Sequence, residues 1–168
     1  IQIDPVRVSW CDKNSAEYVR YTISEGWLDI SDEIRVKAQE IAGGDRNPYF
    51  IAKKFFTWVV DNIQYEYPDF ESRGASKSLK RLKGDCGEFC AVFISLCRSQ
   101  GIPARTVTCN WLKSGGHQWA EVFFPPFGWV PVDPTLARRF KFEPESAIVG
   151  RVRETAGRRK ISLRQAAY

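Results

Sequence analysis

Gly84-Asp85-Cys86-Gly87-Glu88-Phe89-Cys90, continuing as Ala91-Val92-Phe93-Ile94-Ser95-Leu96-Cys97-Arg98-Ser99 to Gln100-Gly101-Ile102-Pro103, is the stretch whose reading organises the rest of the chain. Apolar residues from Phe89 to Leu96 predict a buried helix over about 86–99. Gly101 supplies a left-handed stop and Pro103 bars continuation. A glycine-containing turn therefore delivers Cys86 to the first turn of a helix. Unpaired backbone N–H groups and the positive end of the helix dipole favour a thiolate there. The same N–H groups suit an oxyanion formed when sulfur attacks a carbonyl. Cys90 and Cys97, four and eleven residues on, fall on the apolar helical face and read as small core residues. Cys11 and Cys109 lie in strand-like segments and read the same way. Asp85 and Glu88 sit where carboxylates cap a helix start.

Upstream, Ser31 reads as an N-cap with Asp32 and Glu33 in the first turn. Ile34, Ala38 and Ile41 form a helical stripe that Gly43-Gly44 stops. Asn47-Pro48 opens a second helix whose apolar rhythm (Ile51, Phe55, Trp58/Val59, Ile63) runs to about Ile63. Residues 66–77 read as a loop, and Ser78 to Leu82 as a short helical turn. Weak alternation (Val6, Val8, Trp10; Val19, Tyr21, Ile23) predicts two short strands in residues 1–28. Downstream of Pro103 the texture becomes strand-like: Thr106 to Leu112, His117 to Phe124 and Trp129 to Asp133. Turns fall at Ser114-Gly115-Gly116 and Pro125–Gly128. Helices followed by an antiparallel meander indicate an α+β fold. The division expected is a strand-like extension over 1–30, a catalytic core over 31–136 and a basic segment over 137–168.

His117 is the single histidine, so any imidazole catalysis must use it. If the loop centres on Pro126, Asp133 falls opposite about positions 117–120, within reach of His117. Asp133 then either orients the imidazole, as the acid of a triad does, or caps the turn at Pro134-Thr135. Trp119 shares a strand face with His117 and either lines an acyl-binding cleft or packs beside it. Gln64 is a candidate side-chain oxyanion donor, and Arg105 reads as structural.

Four blocks, in order, resemble the microbial transglutaminase-like core: Gly84-Asp85-Cys86-Gly87-Glu88, Gly101-Ile102-Pro103-Ala104-Arg105, Gly116-His117-Gln118-Trp119-Ala120-Glu121-Val122, and Gly128-Trp129-Val130-Pro131-Val132-Asp133-Pro134-Thr135. Asn62-Ile63-Gln64-Tyr65 is similar to that family's stretch before the nucleophile. The resemblance covers about residues 31–136. It implies a papain-like fold, with Cys86 as nucleophile, His117 as base and acid, and Asp133 as orienter. It implies a cysteine peptidase or amidase that passes through a thioester. Acyl transfer from a carboxamide to an amine is the alternative. Animal crosslinking transglutaminases carry Trp directly after the nucleophile, where this chain has Gly87. An acidic cluster suited to their calcium sites is missing too. Both departures favour hydrolysis. The chemistry calls for no metal and no organic cofactor, and the expected partner is a peptide, a protein or another carboxamide substrate.

Composition sets the outer limits. The chain has 168 residues, 43% hydrophobic and 27% charged, which suits one globular domain. Aromatic residues reach 14%, with six Trp and eleven Phe, so a ring-rich core is expected. No apolar run is long enough for a membrane span. The chain begins at Ile1 and contains no Met, which reads as a segment of a longer precursor. Five cysteines without a framework spacing read as reduced thiols and weakly favour a cytoplasmic setting. The formal net charge of +5 is uneven: the segment from Leu136 onward holds nine basic and three acidic residues. That segment is a solvated arm or a contact for an acidic partner, and no nucleic-acid motif accompanies it. A zinc or thiol module on Cys86, Cys90 and His117 would have only three ligands at poor spacing. A non-catalytic binding domain built on the basic segment is the remaining rival.

Overall fold

The computed structural model describes residues 3–111 and 115–140. The C-terminal basic segment from residue 141 and the expected turn residue Ser114 lie outside the described residues.

Three N-capped helices lead into the site. Helix α1 spans Ala16–Tyr21 and is capped by Ser15, whose side chain accepts from the Tyr18 N–H. Helix α2 (Asp32–Ala42) starts at Ser31, as the Ser-Asp-Glu pattern predicts, and buries Ile34, Ala38 and Ala42. It ends at Gly43, whose φ of 60° suits a residue without a side chain. Helix α3 (Pro48–Asn62) begins at Asn47, which accepts from the Tyr49 N–H at 2.9 Å. Its stripe of Ile51, Phe55 and Val59 is buried. Helix α4 (Ala75–Arg81) begins earlier than the expected turn at Ser78 and ends at Leu82 in the left-handed region, φ 53°.

Helix α5 (Cys86–Ser99) is the central element, with every residue from Glu88 to Arg98 buried. It is sheathed by α2, α3 and α4 and by the antiparallel sheet of β3 (Ala104–Trp111), β4 (Gly115–Phe124) and β5 (Gly128–Val132). A helix covered on all sides is apolar nearly all round, which explains the run from Phe89 to Leu96, interrupted by the buried Ser95. The sheet order is β3-β4-β5. Ala104 faces Val122 and Cys109 faces His117 across one pairing; Ala120 faces Val132 across the other. Helix α6 (Pro134–Phe140) returns to pack on α3 and α5, with Ala137 fully buried. A two-residue parallel pair joins β1 (Gln64–Tyr65) to β2 (Lys83–Gly84) and sets Tyr65 level with Gly84. Among the described residues no helix is long and apolar enough to cross a membrane.

The two strands expected before residue 28 are a misreading. That segment instead holds a 3₁₀ turn at Pro5–Arg7, helix α1 and a lone bridge between Glu25 and Leu28. Val6, Val19 and Ile23 are exposed, so their alternation marks no buried sheet face. Nor does the segment hang loose. Arg98 of α5, itself 3% exposed, donates to the Ile23 carbonyl at 2.8 Å and to Glu25 at 3.0 Å. Arg105 lies 4.1 Å over the Trp129 ring and 5.7 Å from Tyr21, while it pairs with Glu121 at 2.8 Å.

Candidate functional site

The loop into α5 is shaped by two glycines. A Cβ at Gly84 would lie 2.2 Å from Glu88 Cβ, so glycine alone lets the Glu88 side chain fold back over the turn. Asp85 then caps the helix, accepting from the Gly87 N–H at 2.8 Å, while Glu88 accepts from the Asp85 N–H at 3.3 Å. This reciprocal capping box fixes Cys86 as the first helical residue. Both carboxylates are bound by one guanidinium. Arg73 reaches Asp85 at 3.0 Å and Glu88 at 3.1 and 3.2 Å, and its Cζ lies 5.7 Å from the Trp27 ring centroid. A Cβ at Gly87 would meet Gln118 Oε1 at 3.1 Å, Asp85 Oδ1 at 3.2 Å and Arg73 Nη1 at 3.5 Å. The position after Cys86 is therefore hemmed in by polar groups.

Cys86 is half-buried, whereas Cys90 and Cys97 are fully buried in α5. Burial pushes both of those thiols up, away from the thiolate form. Cys90 Sγ donates to the Gln118 carbonyl at 3.3 Å. Cys11 is buried, as expected. Cys109 corrects the core reading: it is half-buried and stands opposite His117 in the sheet register. Desolvation raises its thiol as well, and the charges of Asp133 and Cys86 add to that.

His117 Nε2 and Asp133 Oδ2 are 2.7 Å apart. Asp133, 6% exposed, uses its other oxygen to accept the Leu136 N–H at 2.9 Å. The two readings of Asp133 thus coexist, since one carboxylate oxygen holds the imidazole and the other starts α6. Burial pushes the His117 pKa down, but hydrogen bonding and charge from Asp133 and Cys86 outweigh it and carry the value up to about 10. The imidazole is accordingly protonated at neutral pH. With Nε2 committed to Asp133, Nδ1 is the ring nitrogen left for another partner.

Trp119 stacks beside the imidazole, ring centroids 6.4 Å apart and planes 29° from parallel. Gln64 is exposed in β1. Its neighbour Tyr65 is the residue of β1 that feels the charge of Cys86. Desolvation raises its phenol, and a hydrogen bond that its hydroxyl donates to Tyr67, with the charges of Tyr67, Cys86 and Asp85, raises it further. Its ring lies 6.4 Å from Phe89 and 5.7 Å from the exposed Tyr67. Tyr65 and Arg73 were not foreseen. The parallel register that levels Tyr65 with Gly84 has no local signal. For Arg73 a signal existed: two acidic residues at the start of a buried helix require a cation. Nothing in the local pattern said which one. Among the described residues no three His, Cys, Asp or Glu side chains are arranged to hold a metal ion.

Residues 35–134 match a family model described as the transglutaminase-like superfamily. The uncharacterized protein YebA of Bacillus subtilis is 27% identical over 164 residues, covering 80% of this chain and 22% of YebA. An uncharacterized Haemophilus influenzae protein is 25% identical over 139 residues, covering 65% of this chain and 37% of that protein. The chain therefore spans well under half of the curated relatives it matches. Among solved structures, a candidate cysteine protease from Cytophaga hutchinsonii superposes with a TM-score of 0.63 at 22% identity, over 72% of this chain and 43% of that one. The periplasmic domain of TgpA from Pseudomonas aeruginosa gives 0.61 at 18% identity, over 79% and 52%. At these identities the structural likeness speaks for the fold.

Proposed function

The chain belongs to the transglutaminase-like superfamily, and from that premise we propose that it is a cysteine-nucleophile hydrolase of amide or peptide bonds, working through Cys86, His117 and Asp133. The observation that carries this reading is the 2.7 Å contact between His117 and Asp133, paired with Cys86 as first residue of α5.

In this mechanism the resting pair is thiolate and imidazolium, consistent with a His117 pKa of about 10. Cys86 sulfur attacks the carbonyl carbon, and the carbonyl electrons move onto oxygen. The Cys86 N–H, at the open end of α5, donates to that oxyanion. His117 gives its Nδ1 proton to the leaving amine as the C–N bond breaks, leaving a thioester. Neutral His117 then takes a proton from water, and the hydroxide adds to the thioester. Collapse of the second tetrahedral species releases the acid and returns sulfur to the thiolate state. Asp133 holds the tautomer throughout and stabilises the imidazolium. Hydrolysis is favoured over amine transfer because glycine follows the nucleophile and polar Gln118, Asp85 and Arg73 crowd that position. A dry channel for an amine acceptor needs apolar walls there.

The test is mass spectrometry on wild-type protein offered capped peptides and carboxamides, with a primary amine raised to millimolar levels. The expected result is an acyl adduct on Cys86, acid as the main product, and a turnover loss of about 10³-fold in His117→Ala. Turnover by His117→Ala at the wild-type rate, or an adduct on another cysteine, would sink the mechanism. Amide as the main product would replace hydrolase with transferase.

A further inference from the structure

Arg73 lies outside every motif quoted above, yet it is the cation on which the start of the nucleophile helix is built. Its guanidinium makes close contacts to Asp85 at 3.0 Å and to Glu88 at 3.1 and 3.2 Å, with a longer one to Asp85 Oδ1 at 3.5 Å. Glu88 is 1% exposed and Asp85 is 7% exposed. Asp85 immediately precedes Cys86 and Glu88 follows two residues later. Two buried carboxylates so close to a thiol oppose formation of a thiolate, and one delocalised cation spanning both offsets them.

We propose that Arg73 is a positioning residue for the nucleophile, acting on Cys86 through Asp85 and Glu88. It holds the capping box together and cancels carboxylate charge beside the sulfur. The proposal rests on Cys86 being the nucleophile. A lysine would supply charge but not the planar fork that meets both carboxylates together. A cation–π contact with Trp27, its ring centroid 5.7 Å from Cζ, adds a further hold on the guanidinium. The other titratable groups around Cys86 are Tyr65 from β1, Cys90 on its own helix, Cys109 from β3, His117 from β4 and Asp133 after β5. His117 is the cation facing sulfur from the sheet side, and Arg73 balances the helix side. Burial already pushes the Glu88 carboxyl up. Asp85, next to Cys86 in the chain, is held down by Arg73 against the effect of burial, so its charge is the one the test removes.

The experiment is the rate of Cys86 alkylation by limiting iodoacetamide from pH 5 to 9, followed by peptide mass mapping, with thermal unfolding of each variant alongside. Arg73→Gln is expected to slow alkylation at pH 7 about tenfold and to move the half-maximal rate up by about one pH unit. Asp85→Asn in that background should restore the rate to within about threefold. Both charges then leave together, and the amide oxygen still caps Gly87. Arg73→Lys should fall between. A folded Arg73→Gln protein with the wild-type profile overturns the proposal. So does a slowed profile that Asp85→Asn fails to rescue, because the role is then structural alone. If Arg73→Gln does not fold, Arg73→Lys and the double variant decide by the same profile, and wild-type rates in both overturn it. Wild-type protein alkylated first at another cysteine defeats the nucleophile assignment instead, a different result from either.

Discussion

His117 and Asp133 form an ion pair whose strength shows in how folding responds to pH. The imidazole value of about 10 stands above the ordinary 6.5, so the folded state binds this proton more tightly than the unfolded chain. The resulting stabilisation is complete below about pH 6.5, declines as pH rises from there, and is gone once pH passes the folded value near 10. Asp133→Asn removes the partner, and that part of the slope should flatten. The measurement is urea unfolding of wild type and Asp133→Asn at half-unit steps from pH 6 to 10. The stability gap between the two should narrow steadily toward high pH. A constant gap would show that the pair is not coupled to this proton. The same carboxylate caps α6 through Leu136, and Asn keeps an oxygen for that bond, so the comparison isolates the imidazole.

Local chemistry announced the elements wherever it sufficed to build them. Ser31, Asn47 and Asp85 each cap the helix that follows, and α5 runs over the residues its apolar pattern marks. The three sheet strands stand within two residues of their expected starts, and Asp133 meets His117 because hairpin spacing alone sets that register. The two-residue pair β1–β2 was illegible, since it is too short for periodicity and depends on a parallel partner 19 positions away. Strands were wrongly assigned before residue 28 because alternation carries meaning only where one face is buried, and Val6, Trp10, Val19 and Ile23 are exposed. The glycine at the site entrance gives a sharp prediction at this scale. Gly84→Ala places a methyl 2.2 Å from Glu88 Cβ, the fixed base of that side chain rather than its flexible tip. The turn or the capping box must shift, and a destabilisation of about 2 kcal/mol is expected. Gly44→Ala, with no atom within 4 Å of the added carbon, is the control and should stay within about 0.5 kcal/mol. Equal unfolding midpoints for the two variants would contradict the packing argument.

At the scale of the whole molecule, Arg98 decides whether the N-terminal segment is an appendage or part of the fold. Its side chain, 1% exposed, runs from the buried end of α5 to three acceptors: the Ala104 carbonyl at 2.8 Å, the Ile23 carbonyl at 2.8 Å and Glu25 at 3.0 Å. Burial pulls its pKa down, and the Glu25 hydrogen bond and charge oppose that, so the guanidinium stays charged and committed to these partners. The segment around α1 shows no core residue of its own from Ala16 to Tyr21, so its order comes from docking. Arg98→Met keeps the apolar stem and deletes the donors, leaving the buried Ala104 carbonyl short of a partner. A loss of about 2–3 kcal/mol is expected. The change should also act unevenly. Trypsin should cut at Lys13 and Arg20 at least several-fold faster under native conditions, because the segment opens before the core does. Iodoacetamide should still select Cys86, since that thiol lies at the other end of α5, twelve residues away. If native cleavage at Arg20 is unchanged while global stability falls, the segment opens only with the core, and one cooperative unit replaces a docked one.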